Sequence, residues 1–381
     1  MATVRNRDDV QDLICGLALL GTGGGGRPEQ GRDALLPHVE AGRAITWVPV
    51  DAIADDAWVC SAFGMGSIAP ASPIPPDERE AFGYPRDWTV TRPMVRAVEE
   101  LQTWTGRKVA AILPFELGAG NTASPIDAAI RLGLAVVDGD CAGRAIPELC
   151  QTTAAIAGIR FPPGAIADAW GNVLLVKETP SELLTERIGK LVSIATKWPD
   201  MKAQCAHAGF LMTGRDLKAI AVRGGISRAL AVGRAIRAAV ATHQDPVQAA
   251  VRSLGGWVLF RGRVTQKAWE SRDGYMFGTT VVDGEGPDAG HTLRIWFKNE
   301  NHVTWRDGRP WVMAPDLVML LDATDGTPYT NTVLPEGARL GVVGTRADPK
   351  LRTPAALALL GPRHYGYDLQ YTPIETLLGG C

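Results

Sequence analysis

The chain has 381 residues, 46 % hydrophobic and 21 % charged, the balance of an ordinary soluble globular protein with room for two cored domains. A formal net charge of −2 gives no electrostatic footprint for nucleic acid or an anionic membrane surface. No apolar run approaches the ~20 residues that span a bilayer, and six scattered cysteines make no disulfide framework, so reduced thiols in a cytoplasm are expected.

Val10, Leu13, Ile14, Leu17 and Leu20 recur at helical spacing, with Asp8 placed to cap the segment. A glycine run, Gly21 to Gly26, follows and leads into a second helical segment over 30–41. Bare glycine backbone before a helix can turn N–H groups toward an anion. The run lacks the Lys-Ser/Thr of a phosphate loop and follows a helix rather than a strand, which argues against a nucleotide. It reads as a loop that lets backbone approach a ligand, or as a tight helix–helix corner.

Strands are predicted over 44–50 and 57–63, then a proline-rich surface loop over 69–85 and a helix over 93–105. A strand over 109–114 delivers Glu116, Gly118, Gly120 and Asn121, and a short helix over 125–132 follows. The apolar run 134–137 reads as a core strand ending in Asp138-Gly139-Asp140, with Cys141, Arg144, Glu148 and Cys150 close behind. Open α/β sheets hold ligands at the carboxyl ends of their strands, so Glu116 and Asp140 are the candidate catalytic acids. Arg144 could bind a substrate carboxylate bidentately or pair with Glu148 at i+4. Strands alternating with helices predict a layered α/β domain over 1–172.

Beyond residue 173 the pattern changes. A helix is predicted over 180–198 with Leu183, Leu184, Ile188, Leu191 and Ile194 as its apolar side, then a strand over 201–212 and a helix over 226–240. Short β-like segments follow at 257–264, 275–282, 292–298, 317–321 and 339–343. The expectation is a β-rich domain over 173–345, barrel- or sandwich-like with two helices, and a segment 346–381 that packs back on the first domain. Cys205 and His207, two apart in a strand, share a face and could bind one ion. Asp138 and Cys150 are candidates to complete the ligand set, with Asp140 and Glu116 as further donors, and a mixed S/N/O set suits a divalent transition metal, zinc above all. Asn299-Glu300-Asn301-His302 is a polar cluster at a strand end, either ligand-binding or a hairpin turn, and Asp322 reads as a turn cap.

Seven motifs lie in one order along the chain: LALLGTGGGG, E-x-G-x-G-N over 116–121, VVDGDCAGRAIPEL, AGFLMTG, KNEN, APDLVMLLD and GPRHYGYD. As a set they resemble the S-methyl thiohydantoin desulfurase family nearly end to end. The resemblance implies an α/β N-terminal domain, a β-rich C-terminal domain and hydrolytic loss of sulfur from C2 of a thiohydantoin ring, leaving a hydantoin. One activity it implies is desulfhydration of 3-(5-oxo-2-thioxoimidazolidin-4-yl)propionate in ergothioneine breakdown, with release of hydrogen sulfide. Cys141 and Cys150 depart from the family's more usual glycine and apolar residue, and with Cys205 and His207 they suggest a metal-dependent subgroup.

Together these readings give a metal-assisted hydrolase of a small heterocycle. Asp140 or Glu116 would activate water and protonate the leaving sulfur. Arg144 would orient a substrate carboxylate, Gly23, Gly24 and Gly25 would seat an anion on backbone N–H groups, and Asn121, Asn299 and Glu300 would complete the binding surface. Two alternatives are a hydantoinase-like enzyme that opens the cyclic amide and a non-catalytic accessory subunit of a hydantoinase. Self-association into a homo-oligomer is a further expectation; nucleic-acid and membrane partners are not.

Overall fold

A computed structural model describes residues 3–69, 80–81, 83, 92–195 and 205–379. The first of two large sheets has strands β1 (Trp58–Met65), β2 (Val109–Pro114), β3 (Ala135–Val136), β4 (Gly164–Ala167), β5 (Val173–Val176) and β6 (Cys205–Thr213). Its order is β3-β2-β1-β6-β4-β5. β1, β2 and β3 run parallel, and every other pairing in it is antiparallel. Helices α1 (Arg7–Leu20), α2 (Pro28–Glu40), α3 (Pro93–Thr105), α4 (Ala119–Leu132) and α5 (Glu182–Ala195) surround it. The parallel strands Val59, Ala111, Ile112 and Leu113 are buried on both faces, which is why they read as continuous apolar runs rather than alternating ones.

The second sheet is antiparallel throughout, with strands β7 (Trp257–Arg272), β8 (Tyr275–Gly284), β9 (Thr292–Lys298), β10 (Glu300–Arg306), β11 (Arg309–Met313), β12 (Leu317–Asp322) and β13 (Arg339–Thr345). Its order is β11-β10-β9-β8-β7-β13-β12. The two edge strands β11 and β12 are consecutive in sequence, so the sheet curls until Asn301 Nδ2 on β10 donates to Val318 O on β12 at 3.0 Å. Alternating burial along β9, with Leu293, Ile295 and Phe297 inside, gives this sheet its own apolar face.

The expected architecture, an α/β N-terminal region followed by an antiparallel β-rich region with helices, is the one observed. The first sheet does not divide at 172/173, however, because β5 and β6 extend it from beyond that point, and β6 lies at its centre. One apolar core runs from Val4 through α1 to Ile226 and Leu230 on helix α6 (Gly225–Ala241), then to Met319 and Leu360. Helix α7 (Pro246–Leu254) adds Val247 and Ala250 to it, and its strong Asp245 cap and Pro246 start are turn and helix signals the sequence reading passed over. Residues 346–379 touch both regions: Gln151 Nε2 donates to Leu359 O and Tyr365 Oη, while Asp316 accepts from Arg352, Tyr371 Oη and Ile374 N.

Several boundaries moved. Asn6, not Asp8, caps α1, its Oδ1 accepting from Asp9 N at 2.9 Å. The strand expected over 44–50 shrinks to Ile45–Thr46 and a short 3-10 turn. Most of the proline-rich loop expected over 69–85 lies outside the described residues, as do 196–204, where the helix expected over 180–198 was to end and the strand expected over 201–212 was to start. No helix among the described residues is long and apolar enough to cross a membrane.

Candidate active site

The two sheets meet at a cleft formed by the carboxyl ends of β1 and β2, the glycine loop, residues 146–149, the inner side of α5 and the β9–β10 turn. Phe63, Met65, Phe115 and Ile146 supply apolar wall, and Glu116, Asn121, Glu186, Lys190, Asn299 and Glu300 supply polar groups. The Phe63 and Phe115 rings meet in that wall, tilted by 32° with centroids 4.1 Å apart.

Glu116 follows β2 and turns into the cleft, where its oxygens accept from Asn121 Nδ2 and Ile146 N, each at 2.7 Å. Burial raises its carboxyl to about 7 against these two bonds, which favour the ionised form. Glu300 enters from the other sheet. Asn299 adopts the left-handed conformation (φ 56°) that a two-strand turn requires and that asparagine tolerates, and its side chain accepts from Met276 N at 2.9 Å. That turn directs Glu300 inward against the glycine loop: a Cβ on Gly24 would stand 1.8 Å from Glu300 Oε1. Among the described residues Glu300 Oε2 has no hydrogen-bond partner. Burial, reinforced by the negative charge of Glu116, lifts Glu300 well above the usual carboxylate range. One buried carboxyl raised to about 7 and a second held higher by burial and by the charge of the first is the arrangement of an acid–base pair.

Asn121 ties this pair to β1, donating to Gly64 O and accepting from Gly64 N. Gly25 borders the cleft, and its carbonyl accepts from Gly120 N and Asn121 N at 3.0 Å each. The positive end of α4 is therefore capped by backbone oxygen. Gly25 (φ 74°) must lack a side chain, since a Cβ there would meet Gly118 Cα at 2.6 Å. Gly24 N, expected in an anion seat, donates instead to Gly21 O, and Gly23 O accepts from Asn331 N.

The cation in the cleft is Lys190. It is buried, with Nζ 3.2 Å from Gly66 O, 3.5 Å from Glu186 Oε1 and 4.3 Å from the Tyr275 ring centroid. Sequence reading missed both Glu186 and Lys190. The available signal was polar residues at 182, 185, 186 and 190, a helical stripe opposite the leucines of the same helix.

Arg144 is not a substrate ligand. It is fully buried, and its guanidinium donates to Ala145 O, Thr22 Oγ1, Asn301 O, Pro315 O and Asp316 O at 2.7–3.4 Å. It also makes no pair with Glu148. A rigid five-donor fork suits this work of joining the glycine loop to the second sheet. Asp140 is likewise withdrawn from the cleft: its Oδ1 accepts from Ala142 N and Gly143 N and shapes the turn that aims Arg144. Burial raises it to about 8, and Oδ2 has no hydrogen-bond partner among the described residues.

The proposed metal set Cys205, His207, Cys150 and Asp138 is not assembled. Asp138 caps α6, accepting from Ile226 N, Ser227 N and Ser227 Oγ. His207 stacks on Phe63 at 5.2 Å, its Nδ1 lies 3.3 Å from Cys205 O, and burial pushes it down to about 3. Cys150 keeps other company. With Glu148 and His364 it forms a cluster whose ligand atoms lie within 4.8 Å of one another, and this cluster could hold a metal ion. Glu148 borders the cleft. One of its oxygens accepts from Lys298, and the other faces His364 Nε2 and Cys150 Sγ. The donors fit a borderline metal by type, O, S and N. Burial pushes Glu148 up, but the His364 bond and the Lys298 charge outweigh it and hold the carboxyl down to about 2. Burial pushes the Cys150 thiol up, with Glu148 adding to the effect. Asp322 caps the turn after β12, accepting from Thr324 N and Asp325 N.

Comparison with known proteins follows the fold. An X-ray crystal structure of a protein from Chromobacterium violaceum matches with a TM-score of 0.73 and 24 % identity, over 98 % of this chain and 100 % of that one. At that identity the likeness shows the fold. No curated protein matches. The family model described as S-Me-THD-like, N-terminal domain matches residues 8–178, and that described as S-Me-THD-like, C-terminal domain matches residues 182–374. These two matches span nearly the whole chain, which therefore belongs to the S-methyl thiohydantoin desulfurase family.

Proposed function

We propose that this chain is a hydrolase that replaces the C2 sulfur of a thiohydantoin ring by oxygen, releasing hydrogen sulfide and leaving a hydantoin. Family membership supports a thiohydantoin desulfurase-type function. The observation that carries the reaction is the Glu116–Glu300 pair, one carboxyl raised to about 7 and the other well above the usual range.

At neutral pH ionised Glu116 takes a proton from water as its oxygen bonds to C2. Lys190 balances the charge that gathers on sulfur, and Glu300 passes its proton to that sulfur. In the second half the new hydroxyl returns its proton to Glu300 as the carbonyl forms. The C2–S bond breaks, and sulfur leaves with the proton held on Glu116 as hydrogen sulfide. Both carboxyls end as they began. Phe63 and Phe115 offer flat apolar wall for the ring, and Asn121 holds Glu116 in line.

Glu148, Cys150 and His364 would hold a zinc ion, whose chemistry here would be to polarise a thione sulfur, itself a soft ligand. The substrate we favour is 3-(5-oxo-2-thioxoimidazolidin-4-yl)propionate, because a basic Lys190 in the cleft suits an anionic substituent as well as the reacting sulfur. The test is incubation with that compound and with unsubstituted 2-thiohydantoin. One sulfide released per hydantoin formed is expected; a carbamoyl acid without sulfide would replace this reading with ring opening.

A further inference from the structure

Helix α5 is amphipathic in the wrong sense for a monomer. Its polar residues Glu182, Thr185, Glu186 and Lys190 are buried, while Leu183, Leu184, Ile188, Leu191 and Ile194 are between 41 % and 58 % exposed. The apolar side named from the sequence faces away from the cleft, to which Glu186 and Lys190 on the opposite side belong. The element just before it, β5, is, among the described residues, an edge of the first sheet and exposes Leu174 and Leu175. An apolar sheet edge left unpaired beside such a helix is a surface that proteins normally cover.

We propose that this face is the two-fold interface of a homodimer, with α5 packed against α5 of a second copy. Leu184, Ile188, Leu191 and Ala195 follow one another at steps of four, three and four, the seam of a two-helix coiled coil. Run antiparallel about a two-fold axis, that seam is complementary to itself: Leu184 of one copy meets Leu191 of the other, and Ile188 lies near the axis. The one charged residue in the exposed stripe, Arg187, flanks the seam, where a long side chain can reach water. The seven exposed Leu and Ile side chains present on the order of 600 Å² of apolar surface, most of the ~800 Å² that each partner brings to a stable interface. Because the inner side of the same helix carries Glu186 and Lys190, the interface backs the cleft directly.

Sedimentation velocity of the full chain at micromolar concentration tests this. The wild type is expected at twice the 40.6 kDa chain mass, and the Ile188→Asp/Leu191→Asp variant at the single mass, with an unchanged far-ultraviolet circular dichroism spectrum. A second measurement guards against misfolding of that variant. Ile188→Cys should be joined into a covalent dimer by a short bis-maleimide, well above the wild-type background from native cysteines. A monomeric wild type, a charged variant that stays dimeric, or a dimeric Ile188→Cys protein that does not cross-link would each overturn the proposal.

Discussion

Glu116 and Glu300 reach one cleft from different sheets, and the charge of Glu116 adds to burial in holding Glu300 protonated. Their roles follow from that asymmetry. kcat/KM should rise through about pH 7 as Glu116 ionises and fall at higher pH as Glu300 loses its proton. Glu116→Gln should remove the rising limb and lower kcat by about 10²–10⁴-fold, in the range of a lost general base. Steady-state pH profiles of the wild type and variant check this; an acid limb that survives in the variant would assign it to another group.

Arg144 is a brace, and its loss should be read in stability rather than in substrate affinity. Arg144→Lys leaves several of the carbonyls it satisfies, those of Asn301, Pro315 and Asp316 among them, without their donors. A cost of about 3 kcal/mol or more is expected for a buried charged hydrogen-bond hub. Urea denaturation should show it as a lower midpoint. An unchanged midpoint with a raised KM would return Arg144 to the substrate.

Glu148 contributes acid sensitivity to the metal-free fold. Its carboxyl is held at about 2 in the folded state against an ordinary 4.5, so its stabilisation is complete above pH 4.5 and is lost as pH falls toward 2. The shift corresponds to about 3 kcal/mol at most. Glu148→Gln should therefore destabilise the protein at pH 7, and the gap to the wild type should close below pH 4.5. Denaturant midpoints across that range measure it, and a gap independent of pH would place the loss elsewhere.

Gly24→Ala tests the seating of Glu300. Its φ is not in the left-handed range, so the effect is steric: the added Cβ would stand 1.8 Å from Glu300 Oε1 and must displace that carboxyl. Activity should fall at least about tenfold, as for a catalytic group moved by about 1 Å. The thermal midpoint reports whether the fold is kept. Full activity would mean that Glu300 acts from another position, or not at all.

Metal content separates the two sulfur sites. Elemental analysis of the purified chain should find about one zinc per chain, with the content lost in Cys150→Ser and His364→Gln and kept in Cys205→Ser. Loss in the last variant alone would restore the Cys205/His207 reading.

Local order was legible where a single stretch of chain decides it. Helical spacing placed α1, the helix over 226–240 and the short β-like segment over 292–298 were expected where α6 and β9 lie, and an acid after a strand before glycine placed Glu116. The same logic failed for Asp140 and Arg144, because a strand-end position says where a side chain starts and not which partners claim it. Arg144 is claimed by carbonyls as far along the chain as Pro315 and Asp316. Cys150 was expected as a metal ligand beside Cys205, His207 and Asp138, and it lies instead beside Glu148 and His364; His364 is more than two hundred residues away, visible beforehand only as part of the GPRHYGYD motif.

The sequence by itself determined the family, through seven motifs in order, the two-part α/β and β-rich architecture, and Glu116 as a strand-end acid. These are properties of local pattern or of motif order, and both survive without knowledge of contacts. The tertiary structure alone decided that Glu300 is the partner of Glu116, that Lys190 rather than Arg144 is the cation of the cleft, and that α5 turns its leucines outward. Each depends on which distant surface a residue meets. The free energy of a buried charge is set by those neighbours, and periodicity along the chain does not record them.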